Sequence, residues 1–517
     1  MAYGIHDLEL TGLHVKTILS VQISHKMGEH GKLVLTADLG ETRMDIPVQE
    51  AESFQRITLS GQNDGKKKLI FAGIITKLKA KAMGKSCHLE VTAKTFSYLM
   101  DIRKKSRSFQ DTSMGLGTLT NKIIGEYPEA SCQILFEDAP LGEIAVQYQE
   151  TDWEFLKRML SSRHVLITGS EVNDRLCIYA GAARIPVQAE NIEVEQVFKD
   201  LDQLVYWKDC GAKVMDADFI IYRVRISNHV PLYSEITFNG KDLLVSELEY
   251  VTEGNVLYET ITLRSKEGML EKSIYPMQLV GSALEGTVMD VKGESVRVHL
   301  KIDDLSPGSD CYWFPFSTPS ASSDGSGWYC MPEKGDQVRV YFPSKNTGEV
   351  IAISAVSTYR MPEAAGRAAG GETERPVDGS AAVSGGLGSN GSTSSAPGAA
   401  GPAPGKETAG GKDRMGDPAT KYLRTIDGQE IQLTPGGIII TCSGGTVKIE
   451  ILKSGSINLY AQDYIECSIQ KNIIMSAKSG VVLQSPKTGR LKSDMGGSLY
   501  LDKKGNINIQ GTQVHLN

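Results

Sequence analysis

Three acidic residues at alternate positions, Glu150, Asp152 and Glu154, are the most concentrated candidates for general acid–base chemistry. Such chemistry uses carboxyl groups with different pKa values, one giving a proton and one taking it. The same stretch has the features of a helix start, because Thr151 and Glu154 are spaced as a capping box. Acidic side chains in a first helical turn bond free backbone N–H groups and suit the helix dipole. We therefore interpret the cluster as a helix start and predict no catalytic residue.

Metal and cofactor motifs are missing from the sequence. The nine histidines are dispersed without an HExxH pattern, and the eight cysteines form no CxxC pair. We interpret the cysteines as reduced, buried residues of a cytosolically made protein, with a Cys311–Cys330 disulfide across a hairpin as the alternative. The stretch Gly115-Leu116-Gly117 lacks the third glycine of a dinucleotide fingerprint. We predict no cofactor and no metal ion.

The charge pattern limits the classes of partner. The 517-residue chain has a formal net charge of −7 and no basic block, so neither nucleic acid nor an anionic membrane is a predicted partner. The first residues show no basic region followed by an apolar one, and no apolar run approaches the ~20 residues that span a membrane. We predict synthesis in the cytoplasm without a signal peptide, and export by another route.

Residues 421–517 carry the clearest strand signal. Apolar residues alternate there with polar ones at a period of two, typical of strands with one buried face. The groups include Val447/Ile449/Ile451, Ile457/Leu459, Ile465/Cys467/Ile469, Ile473/Met475 and Val481/Leu483. They recur about every eight residues, whereas one coil of a single-chain β-helix needs roughly twenty. We predict that three chains form an intertwined trimeric β-helix needle, with a two-sheet sandwich of hairpins as the alternative.

Two β-rich segments precede this region, residues 1–100 and 188–275. The hairpin-like pairs within 69–93 and 243–263 resemble each other, which predicts two similar β-barrels in one chain. In a trimer, two barrels per chain give six in a ring, so that a three-fold object can meet a six-fold tube. Between the barrels, residues 101–187 switch to helical spacing and predict a small α/β insertion.

The insertion has two predicted helices. Leu116, Leu119, Ile123 and Ile124 follow helical spacing ahead of Pro128. The second helix follows the capping box at Thr151 and runs to Leu160, with Trp153, Leu156 and Leu160 as its apolar stripe.

Residues 276–360 contain four or five short strands, which suits a five-stranded OB-fold. Five aromatic residues there could stack on bases: Trp313, Phe314, Phe316, Trp328 and Tyr329. Acidic residues surround them, whereas a nucleic-acid groove should be basic, so packing against a neighbouring subunit is favoured. Residues 361–420 are dominated by Gly, Ala, Ser, Pro and Thr. This composition predicts a flexible linker, which is either a slack loop or a tether for a partner.

Three stretches resemble motifs of one family, in the family's own order. Residues 147–156, QYQETDWEFL, are similar to the QYRE(S/T)D-x-x-F stretch of VgrG-type spike proteins, which belong to type VI secretion systems and related contractile injection machines. Residues 328–342, WYCMPEKGDQVRVYF, resemble the OB-fold at the neck of these spikes. Residues 427–438, DGQEIQLTPGGI, resemble the start of their needle. The resemblance covers nearly the whole chain, and the linker at 361–420 departs from it.

This resemblance implies a mainly β fold with a small α+β insertion: a hub of two β-barrels, an OB-fold neck and a C-terminal needle. It implies a homotrimer that caps the inner tube protein, meets baseplate proteins and punctures the target envelope on sheath contraction. A PAAR-type tip protein and effector cargo are the further partners it implies, within a virion or a secreted particle. Some needle tips of this class bind a metal through paired histidines. Here only His515 lies near the end, so a site made by three copies of His515 is the alternative to no metal.

Two other functions stay open from the sequence. One is a tail-associated peptidoglycan hydrolase with unrecognised catalytic residues, and the other is a receptor- or glycan-binding phage tail protein. A peptidoglycan-release assay separates the first from a structural role. A trimer with an axial needle and no sugar binding excludes the second. We predict a structural protein that is not an enzyme.

Overall fold

The computed structural model describes residues 3–41, 44–63, 66–304, 311–317, 331–356, 421–424, 429–442 and 445–514. The chain divides into two compact units, residues 1–359 and 360–517, each of which is described by itself. The predicted linker at 361–420 lies outside the described residues. No described helix is both long and apolar enough to cross a membrane.

The first hundred residues are β-rich. The strands are β1 (Tyr3–Gly4), β2 (Leu8–Thr11), β3 (Thr17–Lys26), β4 (Lys32–Asp38), β5 (Arg56–Asn63), β6 (Lys66–Met83) and β7 (Ser86–Thr95), with one helical turn, α1 (Ile46–Gln49), before β5. Every second residue of β7 is buried, from Cys87 to Thr95, which is the pattern of a strand with one face on a core. Strand β3 has a similar alternation, but a bulge between Ile18 and Ser20 interrupts it and leaves Leu19 exposed.

The α/β insertion follows. Its elements are β8 (Lys105–Phe109), α2 (Leu116–Ile124), β9 (Ser131–Ile134), β10 (Ala145–Glu150), α3 (Asp152–Ser161), β11 (Ile167–Gly169), β12 (Cys177–Ala180) and β13 (Ile185–Pro186). Both predicted helices are confirmed. Helix α2 buries the predicted apolar positions, because residues three and four apart share one face of a helix.

Strands return after the insertion. The elements are β14 (Glu193–Lys199), α4 (Leu201–Asp209), β15 (Ile220–Ile226), β16 (Ser234–Phe238), β17 (Lys241–Glu253) and β18 (Val256–Arg264). The predicted hairpin of β17 and β18 is confirmed, and it turns at Gly254, whose φ of +64° glycine adopts without strain. Helix α4 was not predicted. Short 3-10 helices span Ile5–Asp7, Phe96–Asp101, Asp216–Phe219, Glu267–Met269 and Thr347–Glu349.

Strands from both β-rich segments belong to one sheet of 13 strands. Its main path runs β14-β15-β18-β17-β3-β4-β7-β6-β5-β2, and β1, β13 and β16 attach beside it. The two segments meet where β17 pairs with β3, with Glu247 opposite Lys26 and Val251 opposite Gln22. The largest hydrophobic core draws on both segments, including Leu33 and Leu35 of β4 and Val245 and Leu248 of β17. The finer domain boundaries stay a prediction.

The neck is a five-stranded antiparallel sheet in the order β21-β20-β19-β22-β23. The strands are β19 (Ala283–Lys292), β20 (Ser295–Leu300), β21 (Trp313–Pro315), β22 (Gln337–Tyr341) and β23 (Ile351–Val356). This number agrees with the prediction of four or five short strands within residues 276–360. Alternate residues of β20 and β22 point into one core with Phe314 and Phe342.

The second unit contains two antiparallel sheets. The first is β24 (Lys421–Arg424), β25 (Glu430–Thr434), β26 (Gly437–Cys442), β27 (Val447–Leu452) and β28 (Ile457–Tyr460), paired in chain order. The second is β29 (Gly489–Lys492), β30 (Ser498–Leu501) and β31 (Ile507–Gln510). Residues 461–488, all of them described, form no strand within this chain, although the sequence predicts strands there. The trimeric β-helix stays a prediction.

Gly73 in β6 gives a first testable expectation. The sequence predicts a bulge or bend here, and the register shift lies two residues further on, between Ile75 and Lys77. A Cβ atom at Gly73 would lie 2.0 Å from the backbone oxygen of Lys94 in β7. Gly73→Ala should therefore lower the free energy of unfolding by about 2 kcal/mol, since a backbone must move. Urea denaturation measures this. Lys79→Ala, an exposed site in the same strand, should change it by less than about 0.5 kcal/mol.

Candidate assembly surfaces

The QYQETD stretch lies where β10 turns into α3. Thr151 Oγ1 accepts a hydrogen bond from the Glu154 backbone N–H at 3.1 Å, and Glu154 Oε2 accepts one from the Thr151 N–H at 2.9 Å. The predicted capping box is therefore confirmed. It fixes the first turn of a helix whose Phe155, Leu156 and Leu160 are fully buried.

Asp152 is fully buried and its carboxylate accepts four hydrogen bonds. The donors are Lys105 Nζ at 2.6 Å, Arg107 Nη2 at 2.9 Å, Tyr127 Oη at 2.6 Å and Gln147 Nε2 at 2.9 Å. Burial alone would raise the pKa of Asp152. The hydrogen bonds to it and the charge of Arg107 outweigh burial and hold this pKa below its ordinary value. Burial and the Asp152 carboxylate together raise the pKa of Tyr127. One buried charge therefore holds β8, β10 and the residues after α2 together.

The three carboxylates of the predicted acidic cluster have three different roles. Glu154 caps the helix, as predicted. Glu150 instead forms a bidentate ion pair with Arg158. Its Oε1 lies 2.8 Å from Arg158 Nε, and its Oε2 lies 2.7 Å from Arg158 Nη2. Asp152 is the centre of a buried network rather than a cap. The interpretation as a helix cap is thus correct for Glu154. The carboxylates of Glu150 and Asp152 instead bind other side chains of the same insertion.

The insertion is attached to the neck along β8 and β10. Ala145 packs in the core of the insertion, whereas Ile144 and Val146 pack in the core of the neck. Beside them, Asp303 of the neck accepts hydrogen bonds from the Ser108 backbone N–H at 2.5 Å and from Ser108 Oγ at 2.6 Å. Burial raises the pKa of Asp303 despite these two bonds. Strand β10 therefore contributes side chains to both cores.

The neck aromatics do not form an open stacking surface in the part of the chain that is described. Phe314 is fully buried in the neck core. Trp313 is covered by the Arg297 guanidinium, which lies 4.5 Å from its ring centre. Phe316 is partly buried against the same core, and Trp328 and Tyr329 lie outside the described residues.

The structure describes some of the residues that the metal and thiol predictions concern. Among the residues that it describes, no three His, Cys, Asp or Glu side chains are grouped to hold a metal ion. His515 lies outside the described residues. Cys311 is buried, and its alternative disulfide partner Cys330 also lies outside them.

The first sheet of the C-terminal unit has one apolar face. Directly opposed residues of antiparallel strands share a face. One row of opposed residues is Leu423, Ile431, Ile440, Ile449 and Leu459, and the next is Leu433, Ile438, Ile451 and Ile457. The opposite face includes the row Gln432, Ile439, Glu450 and Asn458. We call the first of these faces the apolar face. In the part of the chain that the structure describes, this face is largely exposed, with Ile457 69% and Leu459 55% exposed.

The next 28 residues, 461–488, extend the same feature. They carry a series of exposed apolar side chains, among them Ile465, Ile473, Val482 and Leu483. Opposed apolar residues recur in the second sheet, where Leu491, Leu499 and Ile509 form a row. Polar backbone groups of a segment that packs against another surface need hydrogen-bond partners. The described part of the second unit thus presents exposed apolar side chains, and the backbone groups of residues 461–488 pair with no described strand.

Two family models match the chain. Residues 36–196 match the phage tail baseplate hub (GPD), and residues 284–356 match the type VI secretion system/phage-baseplate injector OB domain. The first match ends just inside the second β-rich segment, and the second spans the five strands of the neck. A search of curated proteins by sequence gives no match.

Solved structures with a similar fold include the E. coli c3393 protein, a component of the type VI secretion system that is described as similar to the T4 bacteriophage tail proteins gp27 and gp5. It aligns with 13% identity and a TM-score of 0.51, over 68% of this chain and 100% of its own. A chain of the Francisella PdpA-VgrG complex aligns with 8% identity and a TM-score of 0.47, over 86% of this chain and 76% of the matched chain. The fold likeness rests on the first of these.

Proposed function

We propose that this chain is a VgrG-type protein with a baseplate hub domain and an injector OB domain. On this premise, three copies form the hub and central spike of a contractile injection machine. The hub would cap the inner tube and bind the baseplate. The needle of residues 421–517 would puncture the target envelope when the sheath contracts. The two family matches support the hub and the neck of this proposal.

The observation that carries the proposal is the uncovered apolar face of the C-terminal unit. Burying one Ile or Leu side chain stabilises a structure by about 1.5–3 kcal/mol, so two rows of them favour association strongly. Soluble monomers rarely expose contiguous apolar patches beyond a few hundred Å². Three copies of this face, turned toward a common axis, would cover one another, and the polar face with Glu450 and Asn458 would remain in water.

The segment 461–488 favours interwound chains over three separate sheets in contact. Among the residues that the structure describes, its alternating apolar residues pair with no strand. Pairing with the neighbouring copies would supply both the backbone hydrogen bonds and the apolar cover. A needle whose strands all pair between chains leaves few free edges, which suits resistance to shear.

The hub contacts would transmit force to the neck. Asp303 and the two faces of β10 join the insertion to the OB domain, so load on the hub reaches the neck through a packed core rather than through a flexible tether. We propose a structural role without enzymatic activity. A PAAR-type tip protein and an effector would be carried beyond the needle.

The test is the native mass of the purified full-length chain, together with negative-stain images. Three times the chain mass of 56.1 kDa and an axial needle are expected. A stable particle of one chain mass, with residues 421–517 folded as a compact sandwich, overturns the proposal. Release of soluble fragments from purified peptidoglycan would contradict the non-enzymatic role.

A further inference from the structure

The imidazole of His30 lies where the 13-stranded sheet meets the α/β insertion. His30 belongs to the turn between β3 and β4, and only 9% of its side chain is exposed. Its ring packs against Trp153, in the first turn of α3, with the ring centres 4.4 Å apart. Tyr98, from the 3-10 helix after β7, meets the same ring edge to face, with the centres 5.6 Å apart. One titratable side chain therefore joins the sheet to the start of a helix of the insertion.

Both ring nitrogens of His30 face polar side chains. Nδ1 lies 2.8 Å from Ser97 Oγ, and Nε2 lies 3.3 Å from Asp101 Oδ2. Because a carboxylate only accepts hydrogen bonds, the proton of the neutral ring belongs on Nε2, and Nδ1 accepts the Ser97 hydroxyl proton. The other oxygen of Asp101 accepts a hydrogen bond from Thr151 Oγ1 at 2.6 Å. His30 is thus connected through Asp101 to the residue that caps α3.

Two buried hydroxyl groups continue the chain of hydrogen bonds on the other side of the ring. Ser97 Oγ lies 2.9 Å from Thr95 Oγ1, which also accepts a hydrogen bond from the Gly31 backbone N–H at 3.0 Å. Thr95 and Ser97 are both almost completely buried. With a neutral ring, Thr95 donates to Ser97 and Ser97 donates to His30. Each hydroxyl proton then has an acceptor, as buried polar groups require.

A second proton on the ring reverses this chain of hydrogen bonds. A protonated imidazole carries an N–H at both nitrogens, so Nδ1 becomes a donor to Ser97. The Ser97 hydroxyl must then donate to Thr95 Oγ1. Among the contacts of the described residues, the Thr95 hydroxyl proton is left without an acceptor. An unsatisfied buried donor destabilises the arrangement that contains it, so this contact favours the neutral ring.

The charges around His30 act in both directions. The Asp101 carboxylate favours the charged ring, whereas Lys94 of β7 and His25 of β3 oppose it, and the contact with α3 is made by the uncharged ring of Trp153. Burial is the largest influence and lowers the pKa of His30 below its ordinary value of ~6.5. The direction of this change agrees with the count of hydroxyl protons.

We propose that His30 is a pH-sensitive contact: its neutral ring holds the first turn of α3 against the β3–β4 turn, and protonation in mild acid weakens this joint. The contribution of the neutral ring is complete above the ordinary histidine pKa of ~6.5 and is lost as the pH falls through the lower folded value. Two further bonds cross the joint without a histidine, from Lys157 Nζ to the Gly28 carbonyl at 2.9 Å and from the Gly28 N–H to Thr168 Oγ1 at 3.2 Å. The inference concerns a single chain and does not rest on the proposed function.

Hydrogen–deuterium exchange of the purified full-length protein at pH 7.5 and 5.5, read by mass spectrometry, tests the proposal. After correction for the intrinsic effect of pH on exchange, residues 26–32 and 149–156 should open about five- to tenfold more often at pH 5.5. His30→Gln should remove this difference, because a glutamine amide offers one donor and one acceptor, as the neutral ring does, and does not titrate. The matched control is His164→Gln. His164 is exposed and its Nδ1 lies 2.9 Å from the Glu271 carbonyl oxygen, so its replacement should leave the difference unchanged.

A second variant separates titration of His30 from titration of Asp101. Asp101→Asn removes a group that favours the charged ring, so the difference between pH 7.5 and 5.5 should remain and be at least as large. Its loss in Asp101→Asn would assign the effect to the carboxylate and overturn the proposal.

Two results with the other proteins would also overturn it. One is equal opening of the natural protein at both pH values, and the other is a full pH difference in His30→Gln. Circular dichroism at pH 7.5 checks the fold of each variant. If His30→Gln does not fold, the natural protein and Asp101→Asn decide the question by the same criteria.

Discussion

Asp152→Ala is expected to lower the free energy of unfolding of the first unit by about 3 kcal/mol. The substitution removes the acceptor of four hydrogen bonds and leaves the Lys105 and Arg107 charges without their buried partner. Removing one member of a buried ion pair typically costs about 3–5 kcal/mol, and we take the lower end because Lys105 and Arg107 remain 28% and 22% exposed. Urea denaturation followed by circular dichroism measures the change.

Two matched variants show whether the charge or the volume of Asp152 matters. Asp152→Asn keeps the shape and part of the hydrogen bonding, so we expect a smaller loss of about 1–2 kcal/mol. Asp174→Ala removes an exposed carboxylate from the same insertion and should change the free energy by less than about 0.5 kcal/mol. An unfolding midpoint of Asp152→Ala equal to that of Asp174→Ala would contradict the role of the buried network.

The same carboxylate gives the expected direction of the pH dependence. The pKa of Asp152 is lower in the folded state than in the unfolded chain, so the unfolded state binds the proton more tightly. Its contribution to stability is therefore complete above the ordinary carboxyl pKa of ~3.9 and is lost as the pH falls through the lower folded value. The difference in unfolding free energy between the natural protein and Asp152→Asn should shrink over this acid range. A difference that does not change with pH would assign the effect to packing.

Local elements could be predicted from the sequence, because their signals lie within a few residues. The capping box of α3, the hairpin of β17 and β18, and the five neck strands are examples. Helix α4 was missed because only Leu204 and Trp207 face a core, and Leu201 and Val205 break the apolar stripe. Its available signal was Asp200, whose Oδ1 accepts a hydrogen bond from the Gln203 N–H as an N-cap.

Long-range pairing could not be predicted from one sequence. The joining of β3 to β17 links residues more than two hundred positions apart, and no periodicity specifies such a partner. The same holds for Asp152, whose ionic partners Lys105 and Arg107 come from β8. An acidic residue at a helix start looks like a cap whenever the strand that buries it is far away in the chain. The interpretation of Asp152 therefore changed with the structure, while that of Glu154 did not.

The largest effect on assembly is expected from lysines on the apolar face of the C-terminal unit. Ile431 and Ile449 belong to one apolar row and are partly exposed in the single chain, so Ile431→Lys/Ile449→Lys should leave the fold of one copy nearly unchanged. In a trimer these positions would be buried against two other copies. Each copy would lose about 1.5–3 kcal/mol of burial for every isoleucine replaced. Each buried, unpaired ammonium group would add a desolvation cost of several kcal/mol.

The expected result is a fall of the native mass from three chains to one, measured by light scattering. The matched control is Gln432→Lys/Asn458→Lys, which adds the same charge to the same strands or their neighbours on the opposite face. It should keep the trimer, because that face would stay in water. If both double variants dissociate alike, net charge rather than the apolar face controls assembly. If neither dissociates, the apolar face is not the surface that holds the copies together, and the segment 461–488 must provide the contact instead.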